Sequence, residues 1–192
     1  MAKIRKSELK KHLQQMTKEE LENELLILFD KHSQVQEHYT QDLGSDQDRT
    51  RLLNSYKERI RKLFGSFRRL PLVSGIRKII NEYKKVSIFP YELAQLLIYR
   101  IELTLEVYEE QGFLPTAFHN STVNAFEELC EIIKGAVLFE QFEKDMILII
   151  CNKNRKTNYL GPSLVEIYNR NWNKPFPVQV KYHISYFNTH FQ

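Results

Sequence analysis

Pro90-Tyr91-Glu92-Leu93-Ala94-Gln95-Leu96-Leu97-Ile98-Tyr99-Arg100-Ile101-Glu102-Leu103-Thr104-Leu105-Glu106-Val107-Tyr108 is the most apolar stretch of the chain, and it can be read in two ways. From Ile101 to Val107 apolar and polar residues alternate, which is the pattern of a half-buried strand. Against that, about twenty residues pass between Pro90 and Gly112 without a breaker. Proline suits the first position of a helix and glycine the position just past its end. No partner strand appears nearby, so the stretch is read as the central helix, with Leu93, Leu96, Leu97, Ile98, Ile101, Leu105 and Tyr108 inward.

Working outward, the same helical spacing recurs on both sides. Thr17-Lys18-Glu19-Glu20 is a capping box: the Thr17 hydroxyl can accept from the Glu20 N–H while the Glu20 carboxylate reaches back. Met16 and Leu21 are placed for a hydrophobic staple. A short helix capped by Ser7 precedes it, over about 8–15. From Thr17 one long helix is expected to about Asp42, with Leu21, Leu25, Leu28, His32, Val35 and Tyr39 as a seam buried against another helix. Gly44-Ser45-Asp46 ends that pattern. Further helices are expected over about 47–67, with Leu53, Tyr56, Ile60, Leu63, Phe64 and Phe67 inward, and over about 73–84, with Ile76, Ile79, Ile80 and Tyr83 inward. Others follow over about 115–134, 138–154 and 163–172.

The fold expected is therefore all-α: an irregular array of antiparallel helical hairpins, about seven or eight helices, in a single domain over residues 1–174. Pro175 and Pro177 then forbid helix, and Val178–Tyr186 alternates with period two. Residues 175–192 are read as an extended, β-like C-terminal arm. It packs on its own domain or is exchanged with a second subunit, since a lone strand needs an edge to pair with.

The net charge of +4 is unevenly laid out. Residues 1–48 carry −3, residues 49–85 carry +10, residues 86–150 carry −8 and residues 151–192 carry +5. A segment with twelve basic residues and two acidic ones can displace counterions from a nucleic acid. Arg61, Lys62, Arg68, Arg69, Lys84 and Lys85 are the candidate nucleic-acid-binding residues. The competing reading is intramolecular: the basic segment packs beside the acidic one and their fields partly cancel. The scatter of the basic residues around the helix, with Glu58 among them, favours the second reading.

Catalytic signatures are absent. The chain has no G-x-x-x-x-G-K-[ST] or G-x-G-x-x-G phosphate loop, no H-E-x-x-H and no G-x-S-x-G. Cys130 and Cys151 stand apart without a C-x-x-C pair and read as reduced, buried thiols. His32 and His38 are six residues apart on different helix faces, so no metal set is expected, and His32 reads as a core histidine. No catalytic residue, metal or other cofactor is assigned. Arg100 and Glu102 in the apolar helix need partners if buried, because an unpaired buried charge costs several kcal/mol. Tyr99, Arg100 and Glu102 are accordingly the candidate small-ligand pocket, with Asn124 or Glu106 beside them. No apolar run approaches the 18 or more residues of a membrane span. The basic start is followed by Lys10, Lys11 and His12 instead of a signal peptide's apolar core. A cytoplasmic protein without a membrane partner is expected.

Ser7-Glu8-Leu9-Lys10-Lys11-His12-Leu13 with Thr17-Lys18-Glu19-Glu20-Leu21 resembles the N-terminus of an uncharacterised bacterial family of small helical proteins. Leu97-Ile98-Tyr99-Arg100-Ile101-Glu102 and Asn124-Ala125-Phe126-Glu127 resemble two later segments of that family. The resemblance covers roughly residues 5–150. It implies a helical fold and supplies no catalytic residue, since the family has no assigned activity. The arm after Pro175 departs from the family's pattern. The function expected is a non-enzymatic helical scaffold that binds another protein or itself. Nucleic-acid binding through 49–85 and a small-ligand or enzymatic pocket at Tyr99, Arg100 and Glu102 are the alternatives.

Overall fold

The computed structural model describes residues 4–65, 72–113, 115–151 and 161–172. Among these residues there are nine α-helices and no strand: α1 (Lys6–Leu13), α2 (Lys18–Lys31), α3 (Ser33–Leu43), α4 (Asp46–Phe64), α5 (Val73–Val86), α6 (Pro90–Gln111), α7 (Thr116–Gly135), α8 (Phe139–Cys151) and α9 (Gly161–Asn171). The proposed arm at 175–192 lies outside the described residues, as do Phe67, Arg68 and Arg69.

The alternation in the opening stretch belongs to α6. Ile101, Leu103, Leu105 and Val107 are all buried on this one helix. Residues two apart on a helix differ by about 200°. Alternating apolar positions therefore fill two opposite sides, which is what a helix enclosed from both sides requires. α6 packs on α7 and α4, and also touches α5 and α8. Beyond Pro90 and Tyr91 at its start, only the arc carrying Glu102, Glu106, Glu109 and Glu110 is exposed. Gly112 closes the helix in the left-handed region at φ 73°, where a side chain would be strained.

Around α6 the remaining core follows the apolar spacing. α4 buries Leu53, Tyr56, Ile60 and Phe64, and α5 buries Ile76, Ile79, Ile80, Tyr83 and Val86. Leu63, expected inward, is 37% exposed, because it lies on the flank of the last turn of α4. α9 packs across α7 and α8. Trp172 fixes that end, stacked on Tyr168 at 4.8 Å and edge-on to Phe139 at 4.9 Å. Gln41 of α3 is fully buried and donates to Glu92 Oε2 at 2.8 Å and to the Tyr83 hydroxyl at 3.3 Å, tying α3, α5 and α6 together.

The long helix expected from Thr17 to Asp42 is two helices. His32 has extended backbone, φ −128° and ψ 110°, and α3 restarts from its carbonyl. The Gln36 side chain donates to the Phe29 carbonyl at 2.9 Å, satisfying one of the acceptors that a helix end leaves open. Neither glycine nor proline marks the break, so periodicity runs through it unseen. His32 is consequently exposed at a joint, not a core histidine. The expected seam does not bury either: no residue of α1 or α2 is buried.

The capping box forms as the sequence predicts. Thr17 N donates to Glu20 Oε2 at 2.7 Å and Glu20 N donates to Thr17 Oγ1 at 3.3 Å. Ser45 and Asp48 make a second one at the start of α4. Ser7 does not cap α1; Arg5 N donates to Glu8 instead. Because α2 contributes nothing to the core, losing its cap should act locally. Thr17→Ala should cost α2 about 0.5–2 kcal/mol. Hydrogen exchange of α2 amides should accelerate by roughly two- to thirty-fold at high dilution, with α6 amides unchanged. Equal acceleration in both helices would mean that α2 is part of the cooperative core.

Candidate functional site

Leu25-Leu26-Ile27-Leu28-Phe29 are five consecutive apolar residues in α2, and every one is exposed, at 49%, 62%, 44%, 38% and 37%. Leu21, one turn earlier, is 37% exposed. Leu21, Leu25, Leu28 and Phe29 share an arc of about 100°. Leu26 and Ile27 extend the apolar surface beyond it. The main neighbour of α2 is α3, near the His32 joint, where Phe29 meets Tyr39 with ring centroids 6.1 Å apart. Runs of three or four exposed apolar residues are structural errors unless something covers them, and a contiguous apolar patch of this kind marks an interaction surface. The sequence carried a signal for it: a helix that needs one buried stripe does not need five apolar residues in a row.

The two N-terminal helices differ in charge. α1 has three lysines and one glutamate, a net +2. α2 has four glutamates and one aspartate against two lysines, a net −3. They make no extensive packing contact with each other.

The basic segment is tied to its acidic neighbours. Arg59 of α4 pairs with Glu82 of α5, Arg61 of α4 pairs with Glu106 of α6 at 2.7 Å, and Lys84 of α5 pairs with Glu128 of α7. Arg49 lies 3.5 Å from Glu92 and over the Phe89 ring. Of the six residues proposed for nucleic acid, Arg61 and Lys84 are thus in ion pairs, Lys62 and Lys85 are exposed, and Arg68 and Arg69 lie outside the described residues. The four described ones sit on two helices, α4 and α5.

Tyr99, Arg100 and Glu102 do not converge. Residues 100 and 102 differ by about 200° around α6, so their side chains leave on opposite sides. Tyr99 turns toward α4, where Lys57 Nζ stands 5.6 Å from its ring centroid. Glu102 is exposed, and partial burial with nearby Asp145 raises its carboxyl above the usual range. Arg100 turns the other way. It is 3% exposed and its Nη2 donates to Ser121 Oγ of α7. It lines a small cleft between α5, α6 and α7 with Arg77, Lys84, Ser121, Asn124 and Glu128. Of the partners that the sequence offers, the cleft holds Asn124 and leaves out Tyr99, Glu102 and Glu106. Arg77 and Ser121 join only through the packing of distant helices, and no local pattern announces them.

Cys130 is fully buried, and burial pushes its thiol up to about 12, so it is a thiol and not a thiolate at neutral pH. Among the described residues no three His, Cys, Asp or Glu side chains gather as a metal site. Among them, too, no helix is long and apolar enough to cross a membrane.

Over the described residues these features define an all-helical protein built around an enclosed central helix, with the apolar face of α2 left exposed. The chain belongs to the family described as a family of unknown function (DUF6155), whose model matches residues 4–170. That accords with the resemblance to a helical family without an assigned activity. No curated protein and no solved structure matches the chain.

Proposed function

We propose that this protein is a non-enzymatic helical interaction module that associates with a second copy of itself through α2. The observation that carries this reading is the run of exposed apolar side chains from Leu25 to Phe29 on a helix with no buried residue among those described. A second copy is favoured as occupant by charge. In a two-fold interface the same surfaces face each other reciprocally, so the basic α1 of each copy lies along the acidic α2 of the other. On this reading α3–α9 form the platform, an array of helical hairpins with antiparallel neighbours, and the joint at His32 sets the angle at which α2 is offered.

Sedimentation equilibrium of the full chain tests the proposal. A dimer that dissociates on dilution and more readily at high salt is expected. A monomer at every concentration would overturn it. So would a monomer whose α2 amides become exposed to exchange on truncation after Lys174, because the occupant would then be the chain's own C-terminal arm.

A further inference from the structure

The cleft beside Arg100 raises a question separate from the α2 face: what neutralises a guanidinium that the fold has taken out of water. Arg100 is 3% exposed, donates to Ser121, and has a buried Nε with no hydrogen-bond partner. Among the described residues no carboxylate forms an ion pair with it. Glu128 is the carboxylate that acts on it, and Lys84 shares that carboxylate through an ion pair. Arg77 from α5 brings a further positive charge to the same cleft. Three cations therefore face one carboxylate, and the cleft is net positive by two. Burial pulls the Arg100 pKa down to about 10; Glu128 opposes the shift and Arg77 adds to it, and the group stays charged at neutral pH with only a shared carboxylate to balance it. A buried charge without a counter-charge is costly, and supplying one recovers that cost.

We propose that this cleft binds one oxyanion group, a phosphate or a carboxylate, held between the Arg100 and Arg77 guanidiniums with Ser121 and Asn124 as neutral hydrogen-bonding neighbours. The guanidinium fork presents parallel N–H donors matched to two oxygens of such a group. The cleft is small, about 90 Å3, which suits a single oxyanion group better than a whole nucleoside. A wider open depression of about 490 Å3 along the exposed side of α5 shares Arg77 and Asn81 with the cleft and is lined further by Lys78, Lys85 and Glu82, the last paired with Arg59. It gives the rest of a larger anionic molecule a place to lie.

Thermal unfolding of the full chain at fixed protein concentration, in inorganic phosphate or in acetate with ionic strength held constant by chloride, tests this. At a ligand concentration about 100 times Kd the folded-to-unfolded ratio rises about a hundredfold, a midpoint shift of roughly 5–10 °C for a chain of this size. Phosphate giving the larger shift identifies a phosphate group, and acetate a carboxylate. Arg77→Ala, at the exposed mouth where folding is not at risk, should weaken binding about tenfold, the effect of one charge-assisted hydrogen bond. Arg100→Met should abolish it. Titration calorimetry with the same two anions reads binding directly, so a change in the stability of the Arg100→Met protein itself does not obscure the result. No shift with either anion, or equal shifts in the wild type and Arg77→Ala, would overturn the proposal. An ordered water on Nε would then be the group's partner.

Discussion

Leu25→Gln with Leu28→Gln should turn the proposed dimer into a monomer without altering the fold. Glutamine keeps good helix propensity and adds no charge. Both leucines are exposed within the chain, at 49% and 38%, and neither belongs to the hydrophobic core. Covering an exposed leucine fully is worth about 1.5–3 kcal/mol. Each of these is already half covered or more, which leaves about 1 kcal/mol apiece. Two-fold symmetry counts each substitution twice, so roughly 4 kcal/mol is lost, about a thousandfold in Kd. Analytical ultracentrifugation should show the mass halved, while far-UV circular dichroism and the main thermal transition stay in place. Charge reversal adds a partner-specific check. Lys10→Glu with Lys11→Glu should weaken association modestly, since exposed pairs contribute about 0.2–1 kcal/mol each. Adding Glu22→Lys and Glu24→Lys in the same chain should restore it. An unrelated partner's surface would not follow the second reversal.

Ile101→Ala should be among the most destabilising single changes in the molecule, and Glu102→Ala should be nearly silent. Ile101 is fully buried at the centre of α6. Truncating such a residue removes transfer energy and leaves a cavity, about 2–5 kcal/mol together. Glu102, one position on, points to the exposed arc, where substitutions stay within about 0.5 kcal/mol. Leu103→Ala should resemble Ile101→Ala although it lies on the opposite side of the helix, because α6 is enclosed from both sides. Urea unfolding followed by circular dichroism measures all three. A large effect at Ile101 with a small one at Leu103 would contradict an enclosed α6.

The helices were legible in the sequence because their apolar spacing, caps and breakers agree. Pro90 and Gly112 mark α6, Thr17 starts α2, and the expected ends of α5 and α7 fall within two residues of those found. What escaped has a physical cause in each case. The joint at His32 depends on a side-chain bond from Gln36 to the Phe29 carbonyl. Nothing in the residue types forces it, and so one helix was expected where two stand, and the helix count came out low. The seam of α2 was correct as a periodicity, but periodicity says only that a face is apolar and not that its own chain covers it. Grouping Arg100 with Glu102 ignored the 200° between them. The cation pairs at Glu82, Glu106 and Glu128 lie 23 to 45 residues away from their partners, across helix contacts that spacing alone does not specify.

The lack of core contacts in α1 and α2 also bears on how the molecule melts. α2 is held within the chain chiefly by α3 at the His32 joint, so if it associates as proposed its stability rises with protein concentration, whereas α3–α9 carry theirs within the chain. Calorimetry on a dilute sample should therefore return a van't Hoff enthalpy below the calorimetric one, with the shortfall closing as concentration rises. Any single unfolding free energy assigned to this chain would mix two separately melting parts.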